Sequence, residues 1–417
     1  MKIINYYKHL KIKKSDKNNI RFNKKHHRKD LKRKTKKKLR KLILINAPKR
    51  ISDLNNFLAV NKSYIDFFIK KRESKHAVKC QELDLFVNPG EVFNIILKLL
   101  INPNPQFSLN FNNVKVGFGA LFLIDTIGWH LSRYKTWGLH TSGMNKTQSE
   151  LFHNMRTHKS QDEDYAMSSI VNEPVKIDRR EEAVLTTKNY DKVSKRLREL
   201  TELGIQQKSG NKDFKLDKKT NEVIHSVISE QFDNIYQHAK NAKFGDICAT
   251  YNKETNTISV LIYNFGPSIA ETFLVNQVPE EVSDFIRTVV ENHRKKSFFN
   301  YFGKEKFTEE NVLTLLSLQA GVSSLLDEDK TRGYGLIDFI EHCFTLSNSS
   351  RVVLTSGKTT IKIDNKYKIT DQEILNRERK VLTLNTSGSI FDKPDSEYVL
   401  NHDYTFPGVI IETTIPL

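Results

Sequence analysis

Glu230-Gln231-Phe232-Asp233-Asn234-Ile235-Tyr236-Gln237-His238-Ala239 sets a carboxylate, an amide and an imidazole four residues apart. Steps of four drift by about 40° around an α-helix, so Glu230, Asn234 and His238 form one polar stripe that can face a single ligand. Ile224, Ile228, Ile235 and Ala239 form the neighbouring apolar stripe. That pairing suits a helix that packs on a sheet and leaves its polar edge in a cleft. Taken alone, the stripe also suits an ordinary solvated helix face. Two glycine-bearing segments further along the chain give it a different meaning.

Asp246–Tyr251 and Thr257–Tyr263 read as two strands joined by a polar turn over Asn252–Asn256, and the second runs directly into Asn264-Phe265-Gly266-Pro267-Ser268. A polar acceptor at a strand end therefore meets a tight turn. Much later, Lys330-Thr331-Arg332-Gly333-Tyr334-Gly335 opens an apolar helical stretch through Phe339, Ile340 and Cys343. Glycines ahead of a helix let backbone N–H groups approach phosphate, and the helix N-terminus favours negative charge. Each glycine signal alone fits an ordinary loop; their order after the polar helix is the informative part.

In that order the three segments resemble the N, G1 and G2 boxes of the GHKL ATPases, the superfamily of gyrase, histidine kinases and MutL. The Glu-x-x-x-Asn-x-x-x-His-Ala pattern is most similar to the bacterial anti-sigma-factor kinases. Gly408–Pro416 resembles the last core strand of that fold. Arg351–Thr355 and Thr359–Ile363, linked by Ser356-Gly357-Lys358, read as a strand pair before it. The resemblance covers about 200–417. It implies ATP and Mg²⁺ as cofactors, with Asn234 as the metal ligand and Glu230 as the catalytic carboxylate that orients or deprotonates the attacking water. Gly333 and Gly335 would let the loop wrap the phosphates, with Lys330 or Arg332 as cations for the γ-phosphate. His238 is a candidate phosphate contact or a packed or capping histidine. At the G1 position the family usually has an aspartate that accepts from the adenine amino group; here stands Asn264, which keeps a carbonyl acceptor without the charge. Gly266 remains and Ser268 replaces the second glycine. Purine binding is expected to survive, with base preference and turnover left open.

About 270–330, where the family keeps its ATP lid, holds helical patterns at Val282–Glu291 and Glu309–Leu318. A second insertion, about 366–405, is polar and turn-rich. Upstream, Pro89–Leu100 reads as a helix, Gln106–Phe111 as a strand, Ala120–Leu131 as a helix and Thr136–His140 as a short strand. This segment is similar to STAS-like domains, the partners of anti-sigma-factor kinases. The loop that carries a phosphorylatable serine in such domains reads Lys115-Val116-Gly117-Phe118-Gly119, without Ser or Thr, so it should dock without being phosphorylated. The expected class is α+β: a basic arm over 1–50, a small STAS-like α/β domain over 51–155, a linker over 156–190, and a Bergerat-type α/β sandwich over 191–417.

The net charge of +18 on 417 residues is gathered at one end. Residues 1–50 hold 21 Lys or Arg against Asp16 and Asp30, a net +19, which leaves −1 for the remainder. Like charges this dense resist compaction, and phosphate polyanions are their natural partner. Candidate contacts to nucleic acid are Lys24, Lys25, Arg28, Lys29, Lys32, Arg33, Lys34, Lys36, Lys37, Lys38, Arg40 and Lys41. Lysine contacts to phosphate carry no base reading, so DNA and RNA stay equal options, with an acidic protein, an anionic membrane surface or a solubilising tail as alternatives. Cys80, Cys248 and Cys343 are too far apart for a zinc pattern and suit a reducing compartment. Without an apolar run of about 18 residues or an apolar signal core, a soluble cytoplasmic protein is expected.

These readings converge on a Mg-ATP-binding ATPase or ATP-dependent switch. It would suit a bacterial regulatory or anti-phage defence complex, with a protein partner at the lid or STAS-like domain and nucleic acid at the arm; a homodimer is compatible. The alternatives are a protein-serine kinase or anti-sigma-type regulator, and a non-hydrolysing ATP-sensing scaffold.

Overall fold

The computed structural model describes residues 80–101, 106–135, 138–146, 148–149, 170–176, 184–238, 244–252, 254–275, 278, 280–298, 307–320, 322 and 335–417. The basic arm and its candidate contacts lie outside this set. The chain is of mixed α+β class, centred on five antiparallel strands. In sheet order these are β5 (Ile170–Lys176), β6 (Phe244–Asn252), β7 (Thr257–Phe265), β11 (Val399–Pro416) and β8 (Arg351–Ile363).

Alternation along the strands divides their side chains between two cores. Ile258, Val260 and Ile262 of β7 enter one hydrophobic cluster with Ile247 and Ala249 of β6 and Val352 and Leu354 of β8. Leu261 and Tyr263 of β7, Cys248 of β6, Val353 of β8 and Ile410 of β11 enter the other. The helices that cover the first face include α3 (Val184–Ser209), α4 (Lys218–His238) and, later in the chain, α8 (Gly335–Leu346). Asp217 starts α4, its carboxylate accepting from Thr220 N at 2.7 Å. These bonds to the helix amides hold its pKa below the usual carboxylate range, as expected of an N-cap. From there Val223, Ile224, Val227 and Ile228 bury one stripe.

The second face is covered by residues from the N-terminal α/β segment. Its α1 (Pro89–Ile101) and α2 (Phe118–Lys135) are flanked by two short parallel pairs, β1 (Glu82–Leu83) with β3 (Lys115–Val116) and β2 (Gln106–Asn110) with β4 (Gly138–Ser142). The helices and strands expected here all form, within a few residues of their sequence-read limits. Phe93 of α1 packs 4.7 Å from the Tyr404 ring and 5.7 Å from that of Phe406, and Phe122 of α2 lies 6.3 Å from Tyr263. Each large apolar side chain buried this way contributes about 1.5–3 kcal/mol. The segment and the sheet thus share one core.

Two elements differ from the sequence reading. Arg351–Ile363 is one bent strand, not two, because Gly357 takes a left-handed φ of 58° and the chain continues along β11 beyond the bend. A Cβ at Gly357 would strike the Glu310 carboxylate, so the bend needs glycine. Residues 170–176, read as part of a linker, form the edge strand β5. The insertion at 366–405 contains the hairpin β9 (Thr370–Ile374) and β10 (Arg377–Val381), turning through Leu375 and Asn376, both at positive φ.

Between the sheet and the α/β layer, Glu412 Oε1 accepts a hydrogen bond from Gly119 N at 2.8 Å, near the start of α2. A Cβ at Gly119 would collide with the Glu412 carboxylate, and one at Gly117 with that of Asp84, so both glycines of the 115–119 loop make room for an acid. Burial, aided by the Asp84 charge, pushes Glu412 up to about 8 from an ordinary 4.5. Between those values the folded chain keeps a proton that the unfolded chain releases. This contribution to stability is therefore complete below the unfolded value and is lost as pH rises through the folded one. Glu412→Gln keeps the acceptor for Gly119 N and removes the titration. Thermal melts should show wild-type stability falling from about pH 5 to 8 and the variant losing that slope; identical pH profiles would exclude Glu412 as the titrating group.

Candidate functional site

The polar helix, the strand-end turn and Gly335, the described residue of the second glycine segment, lie towards one end of the sheet, as the connections require. Asn264 and Phe265 close β7, opposite Val409 and Gly408 of β11, and Gly245 of β6 stands beside Asn264. Since β6 starts at Phe244, soon after α4 stops at His238, the C-terminal end of α4 is at the Asn264 end. The opposite end is marked by Ser259, which faces Thr414 of β11, itself opposite Arg351, the first residue of β8. α8 finishes at Leu346, just before Arg351, so α8 runs back from the Ser259 end towards Gly335. Its 12 residues span about 18 Å. β7 from Ser259 to Asn264 spans about 17 Å, so α8 is long enough to run from the Ser259 end towards the Asn264 end.

A lateral bond fixes the two helices against each other. Ser226 Oγ of α4 and His342 Nδ1 of α8 are 3.0 Å apart. The helices are antiparallel, and from this bond Asn234 is about 12 Å along α4 and Gly335 about 10 Å along α8. The C-terminal half of α4 with Glu230, Asn234 and His238, the turn at Asn264 and Gly266, and the start of α8 thus share one end of the domain. Lys330, Arg332 and Gly333 lie outside the described residues.

The turn after β7 is held tightly. Asn264 is 3% exposed and lies on the helix-bearing face, and its Oδ1 accepts from Val409 N at 3.1 Å. Gly266 N donates to Pro407 O at 3.1 Å. Ser268, standing at the position of the second glycine in the G1 pattern, begins the helix α5 (Ile269–Val275): its Oγ accepts from Glu271 N at 3.2 Å, and Glu271 Oε2 accepts from Ser268 N at 2.6 Å. This reciprocal capping box is legible in Ser268-Ile269-Ala270-Glu271. Ile269 N donates to Ser356 Oγ at 2.8 Å, and Ser356 Oγ donates to Gly408 O at 3.1 Å. The bend of β8 thereby clamps the turn. Glu310, from α7 (Glu309–Leu316), accepts from Lys358 N at 2.6 Å on the other side of Gly357; burial raises its pKa against the pull of this bond.

The 366–405 insertion also reaches this layer. Lys380 Nζ of β10 bonds Asp338 at 3.0 Å and Glu341 at 2.5 Å, both in the first two turns of α8. The same strand holds residue 320, with Ala320 N donating to Lys380 O at 3.1 Å and Arg379 Nη1 to Ala320 O at 3.2 Å. Gln319 completes the seam, its amide bonding Leu382 N at 2.8 Å and Leu382 O at 3.0 Å. Neither Lys380 nor the Ser226–His342 pair carries a sequence signal, because their partners are 39 or more residues away.

A double-mutant cycle of Ser226→Ala and His342→Ala, read by denaturant unfolding, should give a coupling of about 1 kcal/mol. Strict additivity would mean that the bond does not hold α4 against α8. Compared with known proteins, the chain matches no family model, no curated protein and no solved structure.

Proposed function

We propose that the chain is a Mg²⁺-dependent nucleotide-binding protein of the GHKL kind, an ATPase or ATP-driven switch. In this reading the sheet with α3, α4 and α8 is a Bergerat-type sandwich, and the α/β layer on its second face is STAS-like. The observation that supports it is the meeting, at one sheet end, of α4 bearing Glu230 and Asn234, the turn at Asn264 and Gly266, and the glycine start of α8. With both faces of the sheet covered, that end would bring together the polar stripe read from the sequence, the Asn264 amide and helix N–H groups suited to phosphate.

The residues fit the group in kind. Asn234 supplies an amide oxygen suited to a hard cation, and the first turn of α8 supplies phosphate donors. Mg²⁺ would shield the phosphate charge as the terminal phosphoryl group is transferred. Glu230 would take a proton from the water that attacks the γ-phosphorus, while the bond to the leaving diphosphate oxygen breaks. His238 would contact phosphate or cap α4.

Calorimetric titration with Mg-nucleotide tests the reading. Asn234→Ala should abolish the metal dependence of binding, and Glu230→Ala should retain binding while lowering hydrolysis by at least about 100-fold. Undiminished metal-dependent binding in Asn234→Ala would falsify the assignment. If wild type binds without turnover, the ATP-sensing scaffold is the form of the reading that stands.

The kinase alternative acquires a constraint from the fold. The Lys115–Gly119 loop has no hydroxyl and is closed by Glu412, so this loop would not be the phosphoacceptor. The composition of residues 1–50 supports a polyanionic partner. Binding to DNA or RNA should weaken steeply with salt, about 10³-fold or more from 50 to 200 mM for six or more phosphate contacts. Removal of 1–50 should abolish it; binding that persists without the arm would place the contact elsewhere.

A further inference from the structure

A cavity of about 500 Å³ lies between α6 (Glu280–Phe298), the turn of the β9–β10 hairpin and the loop around Gly388. None of its lining residues belongs to α4, to the Asn264 turn or to α8. The volume is that of a small-molecule site. Much of the lining is apolar: Phe285, Ile374, Leu375, Ile390 and Phe391 belong to the first core or pack on it, and the Phe285 and Phe391 rings meet edge-on with centroids 6.4 Å apart. Its charge is of one sign. Glu281 and Glu373 line the cavity, and no Lys, Arg or His among the described residues does. Neither carboxylate has an ion-pair or hydrogen-bond partner among the described residues. Gln372 adds a further acceptor. Its amide donates to Gly388 O at 2.8 Å and to Thr370 Oγ1 at 2.9 Å. A carbonyl can only accept, so the atom facing Gly388 is the nitrogen and Oε1 is left over.

We propose that this cavity binds an organic cation, a guanidinium or ammonium group carried on an apolar body. The two carboxylates and the Gln372 oxygen accept its N–H bonds, which are the stronger for being charge-assisted. The Phe285 and Phe391 rings attract positive charge and cover the apolar stem. An anion would meet two carboxylates with no cation beside them, so this is not a second phosphate site. A bare metal ion fits no better, since among the described residues no group of three His, Cys, Asp or Glu is placed to hold one. The proposal does not rest on the nucleotide reading.

Two sources carry such a group: a free amine, and an arginine side chain of another protein. Calorimetric titration of the full chain at low salt with agmatine and with N-acetylarginine amide separates them. At least one should bind saturably, the tighter of the two assigning the source. Combining Glu281→Gln with Glu373→Gln should weaken that binding at least about tenfold. Both positions are exposed, so the melting temperature should not move. Phe391→Leu should weaken binding by about threefold or more. No saturable binding of either probe up to about 10 mM, or binding that the double variant leaves unaltered, would overturn the proposal.

Discussion

Burial of the central sheet on both faces constrains everything else in the molecule. A two-layer sandwich can host ligands on an open sheet face, but here Ile258, Val260 and Ile262 point into one core and Leu261 and Tyr263 into the other. With neither face open, a ligand of the sheet itself would approach along the strand ends. Of the two ends, the one near Ser259 is crossed by the short link from α8 to β8. The other gathers the last residues of α4, the Asn264 turn and the first of α8. The position of the proposed site is therefore a consequence of packing.

Much of this is legible in the sequence. The apolar stripe of α4, the polar turn between β6 and β7 and the helix after Gly335 each follow from local periodicity and turn chemistry, and each forms. Double burial is also written there: Val260-Leu261-Ile262-Tyr263 and Val352-Val353-Leu354 are unbroken apolar runs, which mark strands covered on both sides, whereas one-sided strands alternate. The bend in β8 misleads because Ser356-Gly357-Lys358 looks like a hairpin turn, while the long reach of β11 lets pairing resume past the glycine. β5 escapes a sequence reading because its neighbourhood is charged and its stability comes from pairing with β6. Ser226 with His342, and Lys380 with Asp338 and Glu341, cannot be read at all, since such pairs exist only once the chain is folded.

At the turn, the same limit applies in finer form. Sequence gives Asn264 as an amide in place of an expected carboxylate, and its oxygen and nitrogen are equivalent as far as the sequence shows. Only the register of β11 against β7, which sets Val409 N beside Asn264, decides which end of the amide is spent. The glycines of the 115–119 loop are similar: their spacing suggests a turn, yet their reason lies in Asp84 and Glu412, two carboxylates that need the space.

The fastening of β10 has a mechanical consequence. One strand grips residue 320 through Lys380 and Arg379 and grips the opening turns of α8 through the Lys380 ammonium, so the two flanks are coupled through a single support. A force applied at Asn376, the exposed residue of that hairpin's turn, would reach the N-terminus of α8 as a lever reaches its fulcrum, without passing through the five-stranded sheet.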